Sequence, residues 1–275
     1  MKKISLLATA ILATCHAFAQ DTTGLKVSGY LETYYSYDFN KPTNNLRPAF
    51  IYSHNRNNEV NVNLAFIKAS YQAQRVRGNL ALALGTYMSA NYAAEPDVMK
   101  NAFEANAGVK LSKTANLWLD AGIFASHIGF ESAIGKDCQT LTRSIMAENS
   151  PYYETGVKIG YTSESGEWYL AGMFLNGWQR IEKVEGNQTP AFGTQVTYKP
   201  SDRVALNWST YVGNEQPDID KKWRYFNNIY GQFKFSDKTN LTAGFDIGAQ
   251  QSVNGSSDYD VWYSPVVILQ HKPTA

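Results

Sequence analysis

From about residue 26 to residue 271 the chain alternates apolar with polar or small side chains in segments of roughly ten residues, each closed by a turn. In one segment Ala105, Ala107, Val109 and Leu111 share a parity, while Glu104, Asn106, Gly108 and Lys110 hold the other. In the next, Leu117, Leu119, Ala121 and Ile123 oppose Trp118, Asp120, Gly122 and Phe124. Successive side chains of a strand point to opposite faces, so each segment reads as a strand with one greasy and one mixed face. Strands of about nine to eleven residues with this alternation suit a membrane-spanning barrel, apolar toward lipid and polar toward the lumen. The expected fold is all-β: an antiparallel up-and-down transmembrane β-barrel.

Twelve strands are expected, near 26–39, 59–71, 76–88, 104–111, 117–124, 153–162, 168–179, 191–199, 204–213, 225–235, 240–250 and 261–271. In the first, Val27, Gly29 and Leu31 face outward and Ser28, Tyr30, Glu32 and Tyr34 inward. In the second, Val60, Val62, Leu64 and Phe66 alternate with Asn61, Asn63 and Ala65. In the third, Leu80, Leu82 and Leu84 oppose Asn79, Ala81 and Ala83, so arginine at Leu82 should disturb assembly far more than arginine at Ala83. The seventh and twelfth are apolar on both parities, which leaves their facing open, and Pro265 is an oddity inside a paired strand.

The connections alternate too. Short turns fall near 74–75, 112–114, 163–166, 200–202 and 236–238, and longer polar loops near 40–58, 89–101, 126–152, 180–190, 214–224 and 251–260. Short on one side and long on the other is the asymmetry of periplasmic turns and extracellular loops. Aromatics near strand ends, among them Tyr35, Tyr87, Tyr152, Tyr153, Trp168, Trp178, Tyr198 and Tyr225, are expected to form girdles at the lipid–water boundary.

Residues 1–19 read as a secretory signal: Lys2 and Lys3, then the apolar run 4–13, then Ala17, Phe18 and Ala19 as an A-x-A site cleaved before Gln20. The remainder, 20–275, reads as one barrel domain. No later stretch of about 18 apolar residues offers a transmembrane helix. Formal net charge is +1 without a basic patch, so nucleic acid is not an expected partner. Cys15 lies within the signal, which leaves Cys138 unable to form an internal disulfide.

Several stretches resemble the OmpL-like β-barrel porins of outer membranes. They are residues 27–35 (VSGYLETYY), 61–70 (NVNLAFIKAS), 175–179 (LNGWQ) and, most distinctively, 139–159 (QTLTRSIMAENSPYYETGVKI). The resemblance covers roughly residues 26 to 272 and implies a pore in the bacterial outer membrane, with no catalytic residues and no cofactor. One departure is the ending at His271-Lys-Pro-Thr-Ala275, without a terminal aromatic, which reads as a barrel lacking its last hairpins.

Inward positions of both signs are the candidate pore lining: Glu32, Glu104, Asp120, Glu154 and Asp246 against Lys110, Lys158 and Lys234. Mixed signs predict weak ion selectivity, and for each charge a structural partner across strands is the competing reading. Residues 126–152, with Asp137, Arg143 and Glu148, are expected to fold into the lumen as a constriction, since loops of this length are usually functional or disordered. The partners expected are outer-membrane lipid and small hydrophilic solutes. Two other classes are open: a secreted soluble β-protein binding glycans, and an outer-membrane enzyme. The second would lean on His54, His127 or His271, but neither G-x-S-x-G nor H-E-x-x-H occurs, and no metal is expected.

Overall fold

The computed structural model describes residues 24–273 and shows twelve strands in one antiparallel meander. They are β1 (Gly24–Tyr35), β2 (Val60–Gln72), β3 (Val76–Leu84), β4 (Ala102–Lys110), β5 (Asn116–Ala125) and β6 (Tyr153–Thr162). These are followed by β7 (Trp168–Leu175), β8 (Ala191–Ser201), β9 (Val204–Asn214), β10 (Trp223–Lys234), β11 (Thr239–Gln251) and β12 (Tyr259–His271). Each strand pairs with its sequence neighbours. All the long connections lie at one end and all the tight turns at the other, as an up-and-down chain requires. The signal-cleavage reading at Ala19 and Gln20 falls outside the described residues.

β1 and β12 are not paired with each other, so the sheet keeps two edges; the closure that an even strand count permits is not made. It is nonetheless strongly curled. Within one loop, the Lys136 amide meets the Tyr30 hydroxyl on β1 at 3.4 Å, while Gln139 accepts from Thr242 on β11 at 3.3 Å. Three residues of chain span at most about 11 Å, so the two ends of the sheet face a common interior.

The two rows of each strand meet different surroundings. Leu82, Ile67, Trp208 and Val267 stand 50–72 % exposed on the convex face, in a continuous apolar surface far larger than a soluble monomer shows. The opposite row is interior, with Asn207, Ser209, Asn228, Thr242 and Asp246 all at 3 % or less. Both open facings resolve: Trp168, Leu170 and Phe174 of β7 point outward and Met173 and Leu175 inward, while Val261, Tyr263 and Val267 of β12 point outward. Pro265 sits on an edge strand, where a missing N–H is tolerated.

Three local expectations are corrected. First, β2 does not keep one parity. A bulge opposite Glu32/Thr33 takes in Asn63, so Val60 and Val62 remain outward but Leu64 and Phe66 turn inward, and Ile67 takes the outward row. Phe66 then stacks on Phe103 at 5.3 Å inside the sheet. Second, β3 stops at Leu84 rather than running to 88. Gly85 adopts φ +126° against the β2 backbone, and Thr86–Asn91 form the short helix α1. Third, Tyr87, Tyr152 and Tyr153 are not girdle residues. They pack with Tyr92 into a buried cluster beneath the loops, Tyr92 and Tyr153 stacked at 3.9 Å, and Trp178, also expected in a girdle, packs inside against Tyr211 and Phe226. Trp168 and Tyr198 do lie on the outer face at the short-turn end, stacked at 4.3 Å.

Candidate functional site

The concave face is crossed by residues 126–152. The loop closes at its base by Ser126 N–H to the Tyr152 carbonyl, 3.0 Å, and is braced from within. Arg143 donates to the carbonyls of Ser132 and Ala133 at 2.7 and 3.0 Å, and Glu131 accepts from the Ser144 amide at 2.9 Å. Ser144 caps the short helix α2 (Ile145–Glu148) through the Ala147 amide.

From this brace the loop reaches strands on both sides of the interior. The Gly129 amide donates to Asn228 at 3.1 Å, and Ser209 donates to the His127 carbonyl at 2.7 Å. Phe130 meets Tyr230 edge-on at 5.4 Å. His127 is the main tie: Nδ1 lies 2.8 Å from Glu154 on β6 and Nε2 lies 2.8 Å from the Thr210 carbonyl on β9. With Glu154 ionised, two acceptors face two ring nitrogens, an arrangement that the doubly protonated ring satisfies. Burial opposes that charge, but the Glu154 carboxylate outweighs it and holds the His127 pKa above its usual value. Ser209 bonds the His127 backbone and the ring is engaged elsewhere, so these groups do not form a nucleophile–base pair.

The neighbouring loop, 36–59, carries a contrasting histidine. His54 Nε2 meets Glu32 at 3.0 Å, but its Nδ1 is buried without a partner among the described residues. Desolvation therefore prevails over the carboxylate, and its pKa lies below the usual value. The same loop is pinned to 126–152 by Glu148, which accepts from the Tyr52 and Ser53 amides at 2.6 and 3.3 Å. Glu95 ties two more loops, accepting from the Tyr153 hydroxyl at 2.8 Å and the Ile181 amide at 2.9 Å.

The candidate pore-lining charges have specific neighbours. Glu104 pairs with Lys68 at 2.7 Å, and Asp120 with Arg77 at 2.6 Å, the guanidinium lying over Trp118. Glu32 and Glu154 hold the two histidines already named, and Asp246 accepts from Asn228 at 2.5 Å. Lys158 stands beside Asp120 in register with its amine over the Phe124 ring, 4.6 Å away. Lys234 is placed at the tight-turn rim, where it pairs with Asp237 at 2.7 Å. Lys110 also ends its strand at that rim. Of the loop candidates, Arg143 and Glu148 are 6 % exposed and bonded inside the loops, while Asp137 is exposed and paired with Lys136. Cys138 is half-buried beside the Ser132 carbonyl, and burial raises its thiol pKa.

Sequence reasoning passed over Lys68, Arg77 and Arg224. Arg77 shares the parity of Asn79 and was legible as interior. Lys68 was hidden by the bulge at Asn63, and Arg224 by a strand start placed two residues late.

A cavity of about 590 Å³ lies between α2 and the β10–β12 wall, lined among others by Met146, Trp178, Arg224, Phe226, Asp246 and Trp262. Loop and wall together thus frame an interior that is polar, charge-paired and partly roofed.

Comparison with known proteins finds a family model described as "Putative beta-barrel porin-2, OmpL-like" matching residues 24–275. No curated protein matches the chain.

Proposed function

The chain belongs to the OmpL-like β-barrel porin family, and from that membership we propose that it carries small hydrophilic solutes or ions by passive diffusion through the outer membrane. The observation that carries this reading is the division of one meander into two surfaces. Its outer row is aliphatic and aromatic, and its inner row sets Asn, Ser, Thr and paired charges beside two apolar clusters, one around Tyr87 and Phe103 and one around Tyr211 and Phe226. Because lipid does not tolerate a bare backbone edge, β1 and β12, unpaired here, must both be covered in the bilayer; with those edges covered the inner row serves an aqueous path and the outer row serves acyl chains.

Residues 126–152 narrow that path as a constriction, and the interior charges act mainly in pairs. Paired charges of both signs leave little net field, so the pore discriminates weakly between anions and cations. No catalytic step belongs to this reading. The mature chain is delivered through its secretory signal, which leaves after Ala19.

Planar-bilayer recording tests it. Step-like conductance from purified, detergent-folded protein is expected, with a reversal potential near zero in a salt gradient. Silence from a sample shown to be inserted would overturn the channel, and monodispersity without detergent would favour the soluble alternative.

A further inference from the structure

The cavity between α2 and the β10–β12 wall combines features that a plain water channel does not need. Two indoles, Trp178 and Trp262, flank the Arg224 guanidinium at 5.3 and 5.9 Å. Phe226 stands edge-on to Trp178 at 4.8 Å. Arg224 is held in plane by Gln250, whose amide oxygen accepts from Nε and Nη2 at 2.9 and 2.6 Å. That leaves Nη1 and the Gln250 amide N–H₂ without a hydrogen-bond partner among the described residues. Asp246, 3 % exposed, takes one bond from Asn228 and has no cation within ion-pair distance among the described residues.

We propose that this cavity is a binding subsite for a neutral carbohydrate on its way through the pore. Indole faces carry negative quadrupole density that attracts the polarised C–H groups of a sugar ring, and they present large rigid area at low entropic cost. The surrounding planar groups, Arg224, Gln250 and Asp246, offer donors and acceptors together, which is what vicinal hydroxyls require. Opposite charges share the cavity, Arg224 against Asp246 and Asp260, so no single-sign field favours a simple cation or a simple anion. The cavity, about 590 Å³ and open on one side, has room for a small ligand. The subsite is also assembled from two sources. The wall supplies rings and fork, and the crossing loop supplies α2 as the opposite side, so a solute passing the constriction passes this surface.

The transport meaning of this subsite rests on the channel reading above, but the binding does not. It can therefore be measured without conductance, by saturation-transfer NMR on protein folded in a detergent without a sugar headgroup, with maltotriose, glycine and lysine as probes. Transfer to the ring C–H protons of maltotriose is expected, with the dissociation constant raised at least tenfold in Trp262→Ala and in the isosteric Asp246→Asn. Trp208→Phe, on the outer face, should stay within twofold. Heat-modifiable gel mobility reports that each variant is folded, and Asp246→Asn carries the test if Trp262→Ala does not fold. Absence of transfer to maltotriose in wild type, equal transfer in folded Asp246→Asn, or preference for glycine or lysine would overturn the subsite. Binding without conductance would sink the channel and leave the subsite standing; conductance without binding would do the reverse.

Discussion

The two buried histidines show how one extra acceptor reverses a titration. His127 and His54 each face one glutamate, yet only His127 has the second acceptor, the Thr210 carbonyl, that rewards a second proton. Its pKa is raised, so its contribution is complete below about pH 6.5 and fades as pH climbs through the raised value. Glu154 and Lys158 are the charged groups facing it, and they pull in opposite directions. Amide exchange at residues 127–130, corrected for its intrinsic rate, is accordingly expected to accelerate as pH rises above about 6.5. In His127→Gln it should be fast and flat; an unchanged profile in that variant would remove His127 as the tie. For His54 the sign is opposite, since protonation costs the folded state. Protection of residues 52–57 should fall as pH drops below about 6.5. Parity made Glu154 legible as an interior residue. The histidines' partners were not legible, because they come from strands more than twenty residues away in sequence.

At the scale of single strands, the alternating pattern determined nearly every element, and irregular backbone caused the departures. The β2 bulge at Asn63 is an example. Its buried amide donates to Glu32 at 3.1 Å and accepts from the His54 N–H at 2.8 Å, so an extra residue is held where loop, strand and neighbour meet. Asn63→Ala should cost about 1–3 kcal/mol by orphaning these groups, read as a lowered midpoint in urea. The facing assignment has its own test. Ala83 turns out to be 4 % exposed inside the buried cluster, so an arginine there would fail by crowding and is a poor control. Asn79 is the better one, half-buried and bonded at 3.0 Å to Asn106, its partner on the adjacent strand β4. Leu82→Arg should lose about 2–4 kcal/mol of assembly free energy, seen as loss of the heat-modifiable band, and Asn79→Arg much less. Equal loss at both would contradict the two-surface arrangement.

For the whole molecule, the decisive arrangement is the loop that crosses from β1 to β11. Replacing residues 130–149 by a short glycine–serine linker is expected to raise single-channel conductance severalfold and to free the loop 36–59, which then loses its Glu148 anchor. Conductance unchanged by that excision would mean the loop does not limit the path. The match of residues 24–275 to one family agrees with a single continuous sheet in which every strand depends on its neighbours.

Side-chain period and turn spacing are properties of the chain itself, so the sequence alone determined the strands, their order, the end on which loops lie and most of the greasy and polar rows, those of β2 beyond its bulge, β7 and β12 excepted. Which loop residues face water, which brace the loop and which charges meet was decided only by curvature. Bending the sheet brings β6 opposite β9 and β1 near β11, and no local pattern encodes a distance across the interior.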